Sequence, residues 1–143
     1  MAISQAVANS FKSEILQGIH DLESGGDSFK LALYTAGATL TSSSTVYVTS
    51  GEVAATGQYS AGGGVLQSQQ VSLATGGVAI VDFADLSFTG VTLTARGALI
   101  YNATESNKAV AVLDFGSDKT ATSGTFTIQF PAFTSSSAIL RIA

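Results

Sequence analysis

A period of two in the hydrophobic pattern, held from Phe29 almost to the C-terminus, leaves this chain little choice but β-structure. In FKLALYT, Phe29, Leu31 and Leu33 alternate with Lys30, Ala32 and Tyr34, the pattern of a strand with one apolar face. The same reading places further strands at 45–49, 65–73, 78–83, 86–88, 91–102, 109–115, 125–130 and 138–142. Between them lie turn clusters: Gly62-Gly63-Gly64, Gly76-Gly77, the polar stretch 102–107, Gly116 to Gly124, and Ser135-Ser136-Ser137. Many short strands with Gly and Ser turns predict an all-β, antiparallel fold, a β-sandwich or jelly-roll-like domain, and argue against a doubly wound one. A chain of 143 residues fits one domain, 1–143, which can bury a core without disulfides or metals.

Two segments depart from alternation. ALIY (Ala98 to Tyr101) and AVAVLDF (Ala109 to Phe115) are nearly continuous apolar runs, as in strands covered on both faces. The polar NATESNK between them predicts an adjacent central hairpin. In GTFTIQFP, Phe126, Ile128 and Phe130 alternate with Thr127 and Gln129 up to Pro131, where the ladder must stop or turn. Thr35 to Gly64, rich in Gly, Ala, Ser and Thr, reads as a long excursion. It serves either as a loop packed on its own sheet or as an arm reaching a neighbouring subunit.

The N-terminal segment 1–24 has a different period. Val7, Phe11, Ile15, Ile19 and Leu22 recur every three or four residues, which predicts an amphipathic helix with Ser4 as its N-cap and Ser24-Gly25-Gly26-Asp27 as its stop. Gly18 costs about 1 kcal/mol in a helix interior and marks where such a helix can break. The apolar stripe either packs on the domain's own sheet or presents Phe11, Ile15, Ile19 and Leu22 as a subunit contact. His20 reads as a C-terminal helix cation or a polar contact rather than a ligand.

Composition bears on function. There is no Cys, no Trp and one His, and charged residues make up 11% of the chain, against about 25% in ordinary soluble domains. Acid–base, nucleophilic and metal chemistry draw on the groups that are scarce here, and no G-x-S-x-G elbow is present. No catalytic residue and no cofactor is therefore assigned. An uncharged, Ser- and Thr-rich surface costs little to desolvate against a partner, as an assembly component requires. A net charge of −4 and scattered Lys and Arg argue against nucleic acid. No apolar run reaches the length of a membrane span, and the N-terminus does not resemble a secretory signal. The absence of cysteine fits a reducing cytoplasm.

Individual polar residues follow the same line. Asp82 with Asp85, and Asp114 with Asp118, do not supply the run of about six to eight oxygens that a hard cation takes, so no metal site is assigned. Glu52, Asp82, Asp85 and Glu105 cannot be paired as glycosidase carboxylates from spacing alone. AGGGV at 61–65 lacks the lysine and helix of a phosphate loop, and Asn102-Ala103-Thr104 is a bare glycosylation sequon. Arg96 stands inside a strand-like run and needs a partner if buried; Asp82 or Asp85 across the sheet would form a structural ion pair with it.

Taken in order, FKLALYT, GEVAATGQYSAGGGVL, ARGALIYN, KAVAVLDFG, FTIQF and ILRIA, with SFKSEILQGIHDL before them, resemble small structural proteins of tailed bacteriophages over nearly the whole chain. These are strand and turn segments without catalytic content, so no site residue is carried over. The resemblance implies a virion component, assembled in the host cytoplasm: a capsid decoration (cement) protein, a homotrimer bound to the major capsid protein or another virion protein. The alternative within the particle is a neck, tail or baseplate component. Outside that family, the alternative is a carbohydrate-binding β-sandwich module, which would need an exposed platform from Tyr34, Tyr47, Tyr59 and Tyr101.

Overall fold

The computed structural model describes residues 2–143 and is mostly β, with one short helix. The elements are β1 (Ala6–Val7), α1 (Asn9–Leu16), β2 (Phe29–Tyr34), β3 (Gly64–Val65), β4 (Gln70–Ala74), β5 (Val78–Asp82), β6 (Leu86–Asn102), β7 (Lys108–Ile128) and β8 (Leu140–Ile142). They form a five-stranded sheet, β1-β7-β6-β2-β3, and a three-stranded sheet, β4-β5-β8. Every pairing between these strands is antiparallel.

The centre is the β6–β7 hairpin, as the apolar runs predict. Ala98, Leu99 and Ile100 are fully buried, as are Ala109 and Val110 opposite. Burial on both faces follows from what lies above and below. Along β2, Phe29, Leu31 and Leu33 share one face; Phe29 lies 6.5 Å from His20 and 6.0 Å from Phe83, ring centre to ring centre, bringing the post-helix loop and the second sheet onto that side. On the other face Tyr101 stacks on Tyr47 at 4.8 Å, and the Tyr34 hydroxyl donates to the Val48 carbonyl. The 35–63 excursion therefore covers its own sheet, and it returns along the edge of β2, where Val53 N–H donates to Leu33 O and Thr35 N–H to Gly51 O.

Several boundaries differ from the sequence reading. Strands expected at 86–88 and 91–102 are one strand, and so are those at 109–115 and 125–130. Gly116, expected in a turn, and Gly90, in the gap between two expected strands, sit instead beside irregularities of a continuous ladder: Gly90 (φ +64°) lies at the register shift between Phe88 and Val91, and Gly116 (φ +82°) opposite the shift between Ala95 and Gly97. A left-handed residue absorbs an extra residue in one strand without ending it. Conversely, 65–73 is divided: Val65 belongs to the large sheet, β4 to the small one, and Ser68 turns the chain between them at φ +55°. The stretch 45–49 contributes only a bridge, Val46 to Lys108.

The helix is also shorter than expected. It occupies Asn9–Leu16, and Ser4 is not its cap but part of an extended segment whose N–H donates to Leu40 O. Gly18, at φ +72°, ends the helical course, so Ile19 and Leu22 lie beyond it. Phe11 and Leu22 are buried in the domain's own core and Ile15 packs against it. The stripe proposed as a subunit contact is thus largely consumed internally, and the outward position on the helix is Leu16, 89% exposed.

Candidate interaction surface and its supports

All four tyrosines gather around one carboxylate. Glu52 accepts from the Tyr47 hydroxyl (2.5 Å) through Oε1, and from the Tyr59 hydroxyl (2.7 Å) and the Gly62 N–H (2.7 Å) through Oε2. Tyr101 donates to the Gly62 carbonyl at 2.6 Å, and the Leu33 N–H donates to the Tyr59 oxygen at 2.8 Å. Tyr34, Tyr59 and Tyr101 are buried, so these rings are not the exposed platform a glycan would need. They pin the excursion to the sheet. Burial, with the Glu52 charge nearby, pushes their hydroxyls up, that of Tyr101 to about 12 and the others further. A neutral hydroxyl donates; a phenolate here would face a carboxylate in a poorly solvated site.

His20 is the second joint. The Oδ1 of Asn102 accepts the N–H groups of Thr104 (3.0 Å) and Glu105 (3.2 Å), which fixes the amide so that Nδ2 faces His20 Nδ1 at 3.0 Å and Asp27 Oδ2 at 2.8 Å. Nδ1 must then accept, so the proton sits on Nε2 and is donated to Glu14 Oε1 at 2.9 Å. Both ring nitrogens are taken by protein atoms, and the ring lies 4.8 Å from that of Phe11. His20 is the polar contact of the two expected roles, tying helix, loop and hairpin tip together. The same network places Asn102, the sequon asparagine, in full burial, where it cannot carry a glycan in the folded chain.

Arg96 has a partner, but neither of those expected. Its Nε donates to Asp114 Oδ1 at 3.0 Å, across the β6–β7 hairpin from the neighbouring pair Gly97–Asp114. Asp85 instead accepts the Phe130 N–H, and Asp82 ends β5 without a hydrogen bond at its buried Oδ1. The Gly116 N–H and then Arg96 hold the Asp114 carboxyl below its usual range. A depressed carboxylate stabilises the fold above its unfolded-state titration and loses that contribution as pH falls through its folded one. Arg96→Ala should therefore produce a small drop in urea midpoint at pH 7 that shrinks at pH 3 and in high salt, because the pair is partly solvated. Among the described residues, no three His, Asp or Glu side chains converge as metal ligands would.

The His20 joint anchors the helix that forms one wall of an apolar surface. Pairing of β4, β5 and β8 aligns Val71 with Val81 and Leu140, and Leu73 with Ala79 and Ile142, so these six share one face of the small sheet. Val81 and Leu140 reach the core, whereas Leu73 is 74% and Ile142 58% exposed. Opposite them, Phe11, Ile15 and Leu16 of α1 form the other wall of an open groove of about 620 Å³. Exposed apolar area of this kind, bordered by the charges of Lys12, Asp21, Glu23 and Arg141, is what protein contacts use.

The chain matches no protein-family model, no curated protein and no solved structure. Its surface and its joints must therefore speak for its role.

Proposed function

We propose that this chain is a structural component of a tailed-phage particle, a capsid decoration protein that associates with itself and with the major capsid protein through protein–protein contacts. The observation that carries the reading is the apolar face of the small sheet and its groove, left open on a surface with few charges. The resemblance of the strand segments to phage structural proteins supports it. So does the use of the polar side chains: Glu52, the tyrosines, His20 and Asn102 all serve to fix loops onto the sheet. In this reading the two sheets act as an open β-sandwich, joined through Phe29 and Phe83, which presents the small sheet outward.

A neck, tail or baseplate position is the rival within the particle, and a glycan-binding module the rival outside it. The latter would have to work without the buried tyrosines. Cryo-electron microscopy of virions carrying the gene is the test. Density for this fold repeated over the capsid lattice is the expected result. Density confined to the neck or tail would move the protein there, and a virion without it would overturn the structural role.

A further inference from the structure

We propose that strand β4 is a self-association edge: two copies pair their Gln70–Ala74 strands antiparallel across a two-fold axis at Ser72, joining two small sheets into one of six strands. In that register Ser72 faces its own copy, and Val71 faces the partner's Leu73. Because side chains alternate with period two, Val71 and Leu73 of both copies then fall on the same face, and the two apolar surfaces become continuous.

Three observations carry this. First, β4 borders the small sheet with β5 on one side only, so its other side presents unpaired backbone N–H and C=O groups. Natural edge strands are blunted by charge, proline or bulges; QVSLA has no charge and no proline, and its ladder with β5 runs without a register shift. Second, the strand exposes apolar side chains, Leu73 at 74% and Val71 at 39%. Third, the charge pattern favours a second copy over another acidic or basic partner. A two-fold axis brings each residue near it against itself, so any charge there meets its like. In a chain of net charge −4, the segment from Val53 to Val81 has no charged residue; it holds all of β4 and β5 up to its last residue, Asp82, which pairs with Gln70 two positions along the ladder from Ser72. Two copies can meet there without repulsion. The contact closes at two chains, and holds whether or not the virion reading does; a homotrimer would require a different, head-to-tail surface.

The chain has no cysteine, which makes the register directly testable. Directly opposed residues of an antiparallel pair have Cα atoms about 4.5–5.5 Å apart, within disulfide range. Ser72→Cys in the full chain should give a disulfide-linked dimer on mild oxidation, far faster than Ser43→Cys, an exposed control on the excursion. Light scattering over a concentration series should show a dimer. Leu73→Lys should weaken it on the order of a hundredfold, since two leucines leave the contact and two like charges enter it. Both positions are exposed, so unchanged circular dichroism will show the fold intact. Cross-linking at 72 no faster than at 43, a dimer indifferent to Leu73→Lys, or a mass of three chains would each overturn the proposal.

Discussion

Replacing Glu52 with alanine is expected to lower the unfolding free energy by about 3–5 kcal/mol, because three donors lose their acceptor together. Tyr47 and Tyr59 would be left with hydroxyls aimed at a void, and the Gly62 N–H would be unpaired. Each unmade bond costs about 1–3 kcal/mol, with Tyr47 at the low end because it is half-buried. Glu52→Gln keeps one acceptor oxygen but turns the other position into a donor, and should cost roughly half as much. Urea denaturation followed by tyrosine fluorescence reads this directly, since no tryptophan competes. An alanine variant within 1 kcal/mol of the parent, about the worth of a single net hydrogen bond, would show that the excursion is held by apolar packing instead.

The same cluster sets the alkaline limit. The tyrosine hydroxyls titrate higher when folded than their ordinary value of 10.0. Their contribution is therefore complete below pH 10 and is lost as pH rises through the folded values, that of Tyr101 at about 12. Removing the Glu52 charge lessens one cause of the upward shift, so Glu52→Gln should flatten the alkaline decline even as it lowers stability at pH 7.

Gly63→Ala is expected to be the most damaging glycine substitution in the 62–64 run, costing about 3 kcal/mol or more. Gly63 lies at φ +81°, and a methyl group there would overlap the Leu31 carbonyl oxygen while sitting 2.6 Å from its carbon and 2.8 Å from the Ala32 Cα. Those are backbone atoms of β2 and cannot swing away. The strand must part from β3, and with it moves Gly62, which serves both Glu52 and Tyr101. Gly76→Ala isolates the conformational part of the cost, since Gly76 has φ +83° but open space around it. It should lose only about 1–2 kcal/mol. Equal losses at the two positions would show that the close approach of β3 to β2 carries no energy.

How much of this was legible in the sequence depends on the range of the interaction. The central hairpin was readable because Ala98 to Tyr101 and Ala109 to Phe115 are apolar throughout and close in sequence. Strand continuity was not, because a glycine that bulges a ladder, such as Gly90 or Gly116, looks the same as one that turns it. The helix was overextended because Ile19 and Leu22 keep the helical spacing while lying past Gly18; Leu22 reaches the core from a loop. The Arg96 partner follows from the hairpin register only once the irregularity between Ala95 and Gly97 is known. The Glu52 cluster left a fainter signal: a single carboxylate at the border of the uncharged segment 53–81, with four tyrosines spread from 34 to 101. Nothing local links them, and only the fold brings them to one point.

The β6–β7 hairpin also orders the entropy of the folding chain. Its strands, 17 and 21 residues long, are joined by the short turn at 103–107, so their pairing closes a small loop and can zip outward from Asn102 and Lys108. β1 reaches β7 over about a hundred intervening residues, and β8 must find β5 across the whole hairpin, so both close longer loops at an entropic cost larger by about 0.6 kcal/mol per doubling of loop length. Chain entropy thus favours pairing of β6 with β7 first, with β1 and β8 docking onto a sheet already formed.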